Sequence, residues 1–258
     1  MTELTQLKPN KTPLISVVIN CYNGEKFLRE AIDSVYTQTY QNWEIVFWDN
    51  ASTDNTKSIA CSYQEKLRYF KAPKLTNLHE ARNLAVDKCR GAAVAFLDAD
   101  DIWLPNKLEN QIELFSEDNK IIYGGYAHID QAGRRTGFTQ TNTPSGFLTS
   151  KLILRNTISI GGVLIDTKLL KAFRFDETYE IMGDFDLWIR LSPNHLIQSV
   201  NEIVELSRQH SGNISSTNKA KWLAERRYFY KKFLRSHGIF KYPIIIWYVI
   251  KTELKGFL

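Results

Sequence analysis

Long apolar runs are missing from this chain of 258 residues. No stretch reaches the roughly 18 apolar residues that a membrane-spanning helix needs, so no span is expected. Residues 1–12 are polar and lack the apolar segment of a secretory signal. Cysteine is scarce. Cys21, Cys61 and Cys89 lie far apart with no Cys-x-x-Cys pair, which argues against a zinc ribbon or a disulfide framework and suits a reduced, cytosolic setting. Repeats and low-complexity segments are absent as well, and so is any linker long enough to separate independent domains.

What is present is ordinary for a soluble globular protein: 43% apolar and 24% charged residues. The length suffices for one α/β domain with a full core or for two small ones. The net charge of +5 hides an asymmetry. From residue 205 onward eleven Lys/Arg stand against three Asp/Glu, whereas the first 204 residues hold 22 against 25. A mildly acidic body therefore carries a basic tail.

The stretch Val94-Ala95-Phe96-Leu97-Asp98-Ala99-Asp100-Asp101 organises the rest. Its apolar run reads as a strand covered on both faces. The acids fall at its C-terminal end, where open α/β sheets place their ligand crevice. Asp98 and Asp100 alternate by two and project to one side if strand geometry persists. Two hard oxygen ligands on one rim suit Mg²⁺ or Mn²⁺ holding a phosphate. The competing reading makes Asp100 or Asp101 a cap for the helix that Pro105 opens.

Around this stretch, strands are expected at 14–19, 43–48 and 67–72. Helices are expected from about Glu25 (with Asn23 as N-cap), from the loop 49–54 to about Tyr63, and over 80–86. This alternation predicts a parallel sheet wound right-handedly. Beyond Pro105 the pattern predicts a helix to about Phe115, short strands at 121–123 and 127–129, a hairpin turn at 130–133, a strand over 159–165 and a helix over 184–191.

Six stretches, in order, carry a resemblance. They are Ser16-Val17-Val18-Ile19-Asn20-Cys21-Tyr22-Asn23, Asp49-Asn50-Ala51-Ser52-Thr53-Asp54, Ala81-Arg82-Asn83, Phe96-Leu97-Asp98-Ala99-Asp100-Asp101, Phe175-Asp176-Glu177 and Gly183-Asp184-Phe185-Asp186-Leu187-Trp188-Ile189-Arg190-Leu191. Together they resemble the family 2 inverting glycosyltransferases of bacterial polysaccharide and glycolipid synthesis, over residues 14–216. The resemblance implies a GT-A fold: an α/β structure with a mainly parallel central sheet flanked by helices, plus a C-terminal helical tail. It divides the chain into a flexible tail (1–12), a catalytic domain (13–216, with a nucleotide-sugar half 13–104 and an acceptor half 105–216) and a basic aromatic tail (217–258).

The implied activity is hexosyl or N-acetylhexosaminyl transfer from a nucleotide sugar, UDP-linked by preference, to a saccharide or lipid-linked acceptor. Nucleic acid is not an expected partner. Nucleotide-sugar contacts map to Cys21, Tyr22, Asn23, Asp49, Arg82, Asp98, Ala99 and Asp100, with Asp49 on the base, Asp98 on the ribose and Asp100 on a Mn²⁺ or Mg²⁺ ion. His210, in Arg208-Gln209-His210-Ser211-Gly212-Asn213-Ile214-Ser215, is a second metal candidate. The general base maps to Asp184.

The chemistry is consistent with these roles. A departing diphosphate needs a cation, and the attacking hydroxyl needs a carboxylate to take its proton. Asp186 is a rival for the base, and either acid can instead pair with Arg190. Arg82 can be read as a surface charge, and Trp103 and Trp188 as sugar platforms or as core. Four departures from the family pattern stand out: Asn20 for Pro, Cys21 for Thr, Gly183 for an acid, and no glycine in Asn77-Leu78-His79. A nucleotide-binding domain without turnover is the alternative function. The hairpin 124–137 and the loop 139–146 are expected to shape the pocket. The basic, aromatic segment 219–235 and the apolar segment 240–250 suit either the inner face of an anionic membrane or packing on the catalytic domain or a second copy.

Overall fold

The computed structural model describes residues 12–213 and 218–237. The expectations for residues 1–11, for Ile214 and Ser215 and for the apolar segment 240–250 fall outside them. The first half alternates as the sequence predicts: β1 (Ile15–Cys21), α1 (Leu28–Tyr36), β2 (Trp43–Asp49), α2 (Thr56–Cys61), β3 (Leu67–Lys71), α3 (Leu78–Val86) and β4 (Ala93–Phe96). β1 lies between β2 and β4, and β2 pairs with β3, all in parallel. Every residue of β2 and β4 is buried, which is why these strands read as near-continuous apolar runs.

The second half comprises β5 (Ile102–Trp103), α4 (Lys107–Leu114), β6 (Ile121–Ile129), β7 (Arg135–Gln140), α5 (Thr149–Leu152), β8 (Val163–Asp166), α6 (Thr167–Phe173), α7 (Gly183–Leu191), β9 (Ile197–Arg208) and α8 (Lys219–His237). Here the sheet becomes mixed. β8 runs antiparallel to β4 and β6, while β6 and β9 are parallel. The full order is β3-β2-β1-β4-β8-β6-β9-β5, with β7 on β6. The result is the α/β GT-A architecture, with a parallel half and a mixed half.

Side-chain alternation feeds two cores. Val18, Val46 and Phe96 face one layer with α3, α7 and α8. Val17, Ile19, Phe47 and Ala95 face the other with α1 and α4. Three local expectations change. Asn23 does not cap a helix; α1 begins at Leu28 with no side-chain cap, and Asn23 instead takes a left-handed φ of 53°. The pieces 121–123 and 127–129 are one strand, whose register against β9 shifts on either side of Gly125, where a Cβ would meet the Gln140 carbonyl of β7. Nor does the strand over 159–165 begin at 159; β8 starts at Val163.

On α8, Phe229, Tyr230, Phe233 and Leu234 are buried in the first core. Burial of such side chains is worth about 1.5–3 kcal/mol each, ample to seat this helix on the catalytic body. No helix among the described residues is long and apolar enough to cross a membrane.

Candidate active site

β1, β2 and β4 all point their C-terminal ends at one edge, where the parallel half meets antiparallel β8. That switch in strand direction leaves a crevice. Here it is a cleft of about 1120 Å³ lined by Cys21, Tyr22, Asn23, Arg82, Asp98, Ala99, Asp100, Asp184 and His210. Side chains from widely separated stretches thus share one cavity, of the size that takes a small-molecule ligand.

Two loops form its first wall. Asn23 N–H donates to Ser52 Oγ at 3.0 Å and Thr53 N–H returns a bond to Asn23 Oδ1 at 2.9 Å. The left-handed backbone of Asn23, which Asn tolerates better than most residues, lets both bonds form. Cys21 is buried, and burial pushes its thiol up to about 12, so it is a wall residue rather than a nucleophile. Asp49 lies at the end of β2 and is fully buried. Its Oδ1 accepts from Ser52 N–H at 2.7 Å and its Oδ2 from the Tyr69 hydroxyl. It stands behind the loop and is not among the cleft-lining side chains.

The acidic rim follows β4. Arg82, on α3, donates to Asp98 Oδ1 at 2.9 Å; its side chain is 5% exposed and that of Asp98 40%. Arg82 is therefore a buried partner of the rim and not a surface charge. Asp100 Oδ2 lies 2.8 Å from His210 Nε2. Burial and then the charge of Asp98 push the Asp100 carboxyl up, against His210. Asp101 turns inward and accepts the Arg208 N–H at 2.7 Å. Neither Asp100 nor Asp101 caps a helix, since α4 starts only at Lys107.

Asp100 and Asp98 fit a hard divalent cation. Among the described residues no three His, Cys, Asp or Glu side chains form a closed metal shell. Carboxylate oxygens are the donors that hard divalent cations such as Mg²⁺ and Mn²⁺ take. His210 is arranged differently. Its Nδ1 accepts the Gly212 N–H at 3.0 Å, which leaves the ring proton on Nε2, donated to Asp100. To enter a metal shell through Nε2 it must move that proton to Nδ1 and release Gly212.

Asp184, in the first turn of α7, lines the same cleft. Burial raises its pKa, and the Arg82 charge works against the rise. Asp186 is buried elsewhere, paired to Arg190 at 2.6 Å. Trp103 and Trp188 are 1% and 0% exposed and belong to the core. The hairpin contributes Tyr126, His128 and Gln131 to the cleft, whereas the loop 139–146 does not line it and instead borders a separate pocket of about 360 Å³. Residues 153–160 and, from α8, Trp222, Arg226 and Tyr230 complete the wall near Asp184.

One central residue was not singled out from sequence. Arg208, at the end of β9, is fully buried. Its Nε donates to the Asp100 carbonyl at 2.8 Å, Nη1 to the Gln131 carbonyl at 3.1 Å and Nη2 to Glu30 Oε2 at 2.8 Å. Its guanidinium also lies over the Phe27 ring at 4.5 Å. It ties the acidic rim, the hairpin turn and α1 together from behind.

A parallel α/β half opening on an acidic rim, joined to a mixed half that supplies a facing carboxylate, is the GT-A class of fold. The chain belongs to glycosyl transferase family 2, whose model matches residues 16–175. An uncharacterized glycosyltransferase of Rickettsia felis is 37% identical over 212 residues, covering 77% of this chain and 35% of that protein; the chain thus spans about a third of that relative. The Escherichia coli UDP-Glc:alpha-D-GlcNAc-diphosphoundecaprenol beta-1,3-glucosyltransferase WfgD is 33% identical over 190 residues, 73% of each chain. Among solved structures, Staphylococcus aureus TarS 1-349 in complex with UDP-GlcNAc superposes with a TM-score of 0.70 at 22% identity, over 85% of this chain and 66% of that one, a likeness of fold.

Proposed function

We propose that this protein is an inverting glycosyltransferase that moves a hexosyl or N-acetylhexosaminyl group from a UDP-sugar to a hydroxyl of a saccharide or lipid-linked acceptor in surface polysaccharide or glycolipid synthesis. The observation that carries this reading is a single cleft lined both by the Asp98/Asp100 rim and by Asp184, which come from distant parts of the chain. WfgD, by its name, uses UDP-Glc and a diphosphoundecaprenol-linked acceptor, which favours this donor and acceptor class.

In this reading Cys21, Tyr22 and Asn23 wall the nucleoside. Asp49 contributes by fixing the turn at Ser52. Asp98, held by Arg82, receives the ribose. Asp100 holds Mn²⁺ or Mg²⁺, with His210 orienting its carboxylate. The ion, when bound, offsets the charge of the leaving diphosphate. Asp184 takes the proton of the acceptor hydroxyl. The hydroxyl oxygen then forms its bond to the anomeric carbon as the bond to the diphosphate breaks, and a single displacement inverts that centre. The basic tail (217–258) suits work at the anionic inner face of a membrane that presents the acceptor.

A thermal-shift screen of nucleotide sugars, with and without Mn²⁺, is the direct test, because a ligand that binds only the folded state raises Tm. A metal-dependent shift with a UDP-sugar, and metal-dependent release of UDP in the presence of acceptor, are expected. Binding without turnover across acceptors would reduce the protein to a nucleotide-sugar-binding domain.

A further inference from the structure

The segment entering α7 is held by other elements. Met182 occupies the N-cap position of α7 and makes no side-chain capping bond. The backbone N–H groups ahead of Asp184 nevertheless have partners. Glu225, on α8, accepts from Glu180 N–H at 2.8 Å through Oε1, and from Ile181 and Met182 N–H, each at 3.0 Å, through Oε2. His79, on α3, accepts the Gly183 N–H through Nε2 at 3.0 Å. Four successive amides are thus received by two side chains that lie 43 or more positions away in the chain.

Both contacts are built, not incidental. His79 is fully buried and stacks on Phe175 with ring centroids 5.6 Å apart. A Cβ on residue 183 would meet its imidazole at 2.5 Å, so the ring fills the space that any larger residue there would need. Burial, and then the Arg82 charge, lower its pKa to about 3, and the neutral ring keeps an acceptor nitrogen. On the other side, Phe185 packs on Phe229 of α8 at 4.8 Å. The Glu225 carboxylate sits at the positive end of α7, where an anion is favoured.

Resting on the reading of Asp184 as the base, we infer that His79 and Glu225 are positioning residues that together set where that carboxylate stands in the cleft. The unusual His79 and Gly183 are then one paired feature, a large ring taking the room of an absent side chain. The C-terminal helix joins the catalytic machinery. A base must lie within hydrogen-bond reach of the proton it takes, and a displacement of about 1 Å can cost about 100-fold in rate.

The test is steady-state kinetics on Glu225→Ala, Glu225→Gln, His79→Ala and His79→Gln, with UDP affinity by calorimetry and hydrogen exchange at amides 180–183. The Ala variants are expected to lose about 10–100-fold in kcat, with donor KM and UDP affinity nearly unchanged. The Gln variants should recover part of the turnover: His79→Gln keeps an acceptor for the Gly183 N–H, and Glu225→Gln keeps one acceptor oxygen, enough for the Ile181 and Met182 N–H groups but not also for that of Glu180. In an Asp184→Asn background, Glu225→Ala should add no further loss to the residual rate. Wild-type kcat in the Ala variants, Gln variants as impaired as Ala, or an equal extra loss in the Asp184→Asn background overturns the inference. If an Ala variant does not fold, the Gln variants and the exchange of amides 180–183 decide. Turnover of Asp184→Asn at the wild-type rate would instead refute Asp184 as base, and exchange would still show whether the two side chains hold the segment.

Discussion

Arg190 donates through Nε to Asp186 Oδ2 at 2.6 Å, and its other nitrogens bond the Phe173 and Arg174 carbonyls at 2.8 and 2.7 Å. The pair turns the second acid of α7 away from the cleft and leaves Asp184 facing it. The two substitutions should therefore fail in different ways. Asp184→Asn is expected to lower kcat by about 10²–10⁴-fold with UDP binding retained. Asp186→Ala is expected to cost about 1–3 kcal/mol of stability, since the Arg190 side chain is 31% exposed and keeps its two carbonyl acceptors. Kinetics and urea unfolding on both variants check this.

The raised pKa of Asp184 sets an acid limb. Burial favours its protonated form, and a base must be deprotonated to act. Activity should fall as pH drops through a value above that of an ordinary Asp. The same sign governs stability: the folded state holds this proton more tightly than the unfolded chain, so the contribution of Asp184 declines as pH rises from the unfolded value toward the raised one. A pH profile of kcat whose acid limb lay at or below the usual Asp value would contradict this.

Arg208 should be intolerant of change. Its guanidinium is buried on the Asp100 and Gln131 carbonyls and on Glu30. Arg208→Gln is expected to cost about 3–5 kcal/mol, since it strands those acceptors. Arg208→Lys, without the planar fork, should fold but need more Mn²⁺ for half-maximal activity because the Asp100 loop loses its rear anchor. Urea unfolding of Arg208→Gln and metal titration of Arg208→Lys read these out.

Lys232 of α8 bonds Asp176 Oδ2 at 2.7 Å. Against the upward push of burial, this bond and those from Thr178 lower the Asp176 pKa from 3.8 to about 2. The sign is that of a depressed carboxylate: its contribution is present above 3.8 and is lost as pH falls toward about 2. Acid unfolding followed by tryptophan fluorescence should show Asp176→Asn less stable than wild type at neutral pH, with the difference shrinking across that window.

Metal removal completes the set. Chelation should abolish turnover, and Mn²⁺ or Mg²⁺ should restore it. Asp100→Asn should raise the Mn²⁺ requirement strongly. His210→Ala should raise it less if the ring only orients Asp100. Equal effects would make His210 a direct ligand.

The four parallel strands, the polar loops at their ends and the Asp98/Asp100 rim were legible in the sequence because they arise from local patterns: buried runs, breakers and an alternation by two. β9 was missed because its burial alternates imperfectly, and its partner β6 shifts register around Gly124 and Gly125. No local pattern marks Arg208 as a buried charge, since its acceptors come from Glu30, Asp100, Asp130 and Gln131. Strand order along the chain, and the acids at strand ends, follow from the residues alone, because side-chain periodicity is a property of neighbours. The motif resemblance favoured Asp184 over Asp186, but the pairing of Asp186 with Arg190, and the grip of α3 and α8 on the segment before Asp184, belong to the assembled fold. They depend on which distant partners fill each cavity and satisfy each amide.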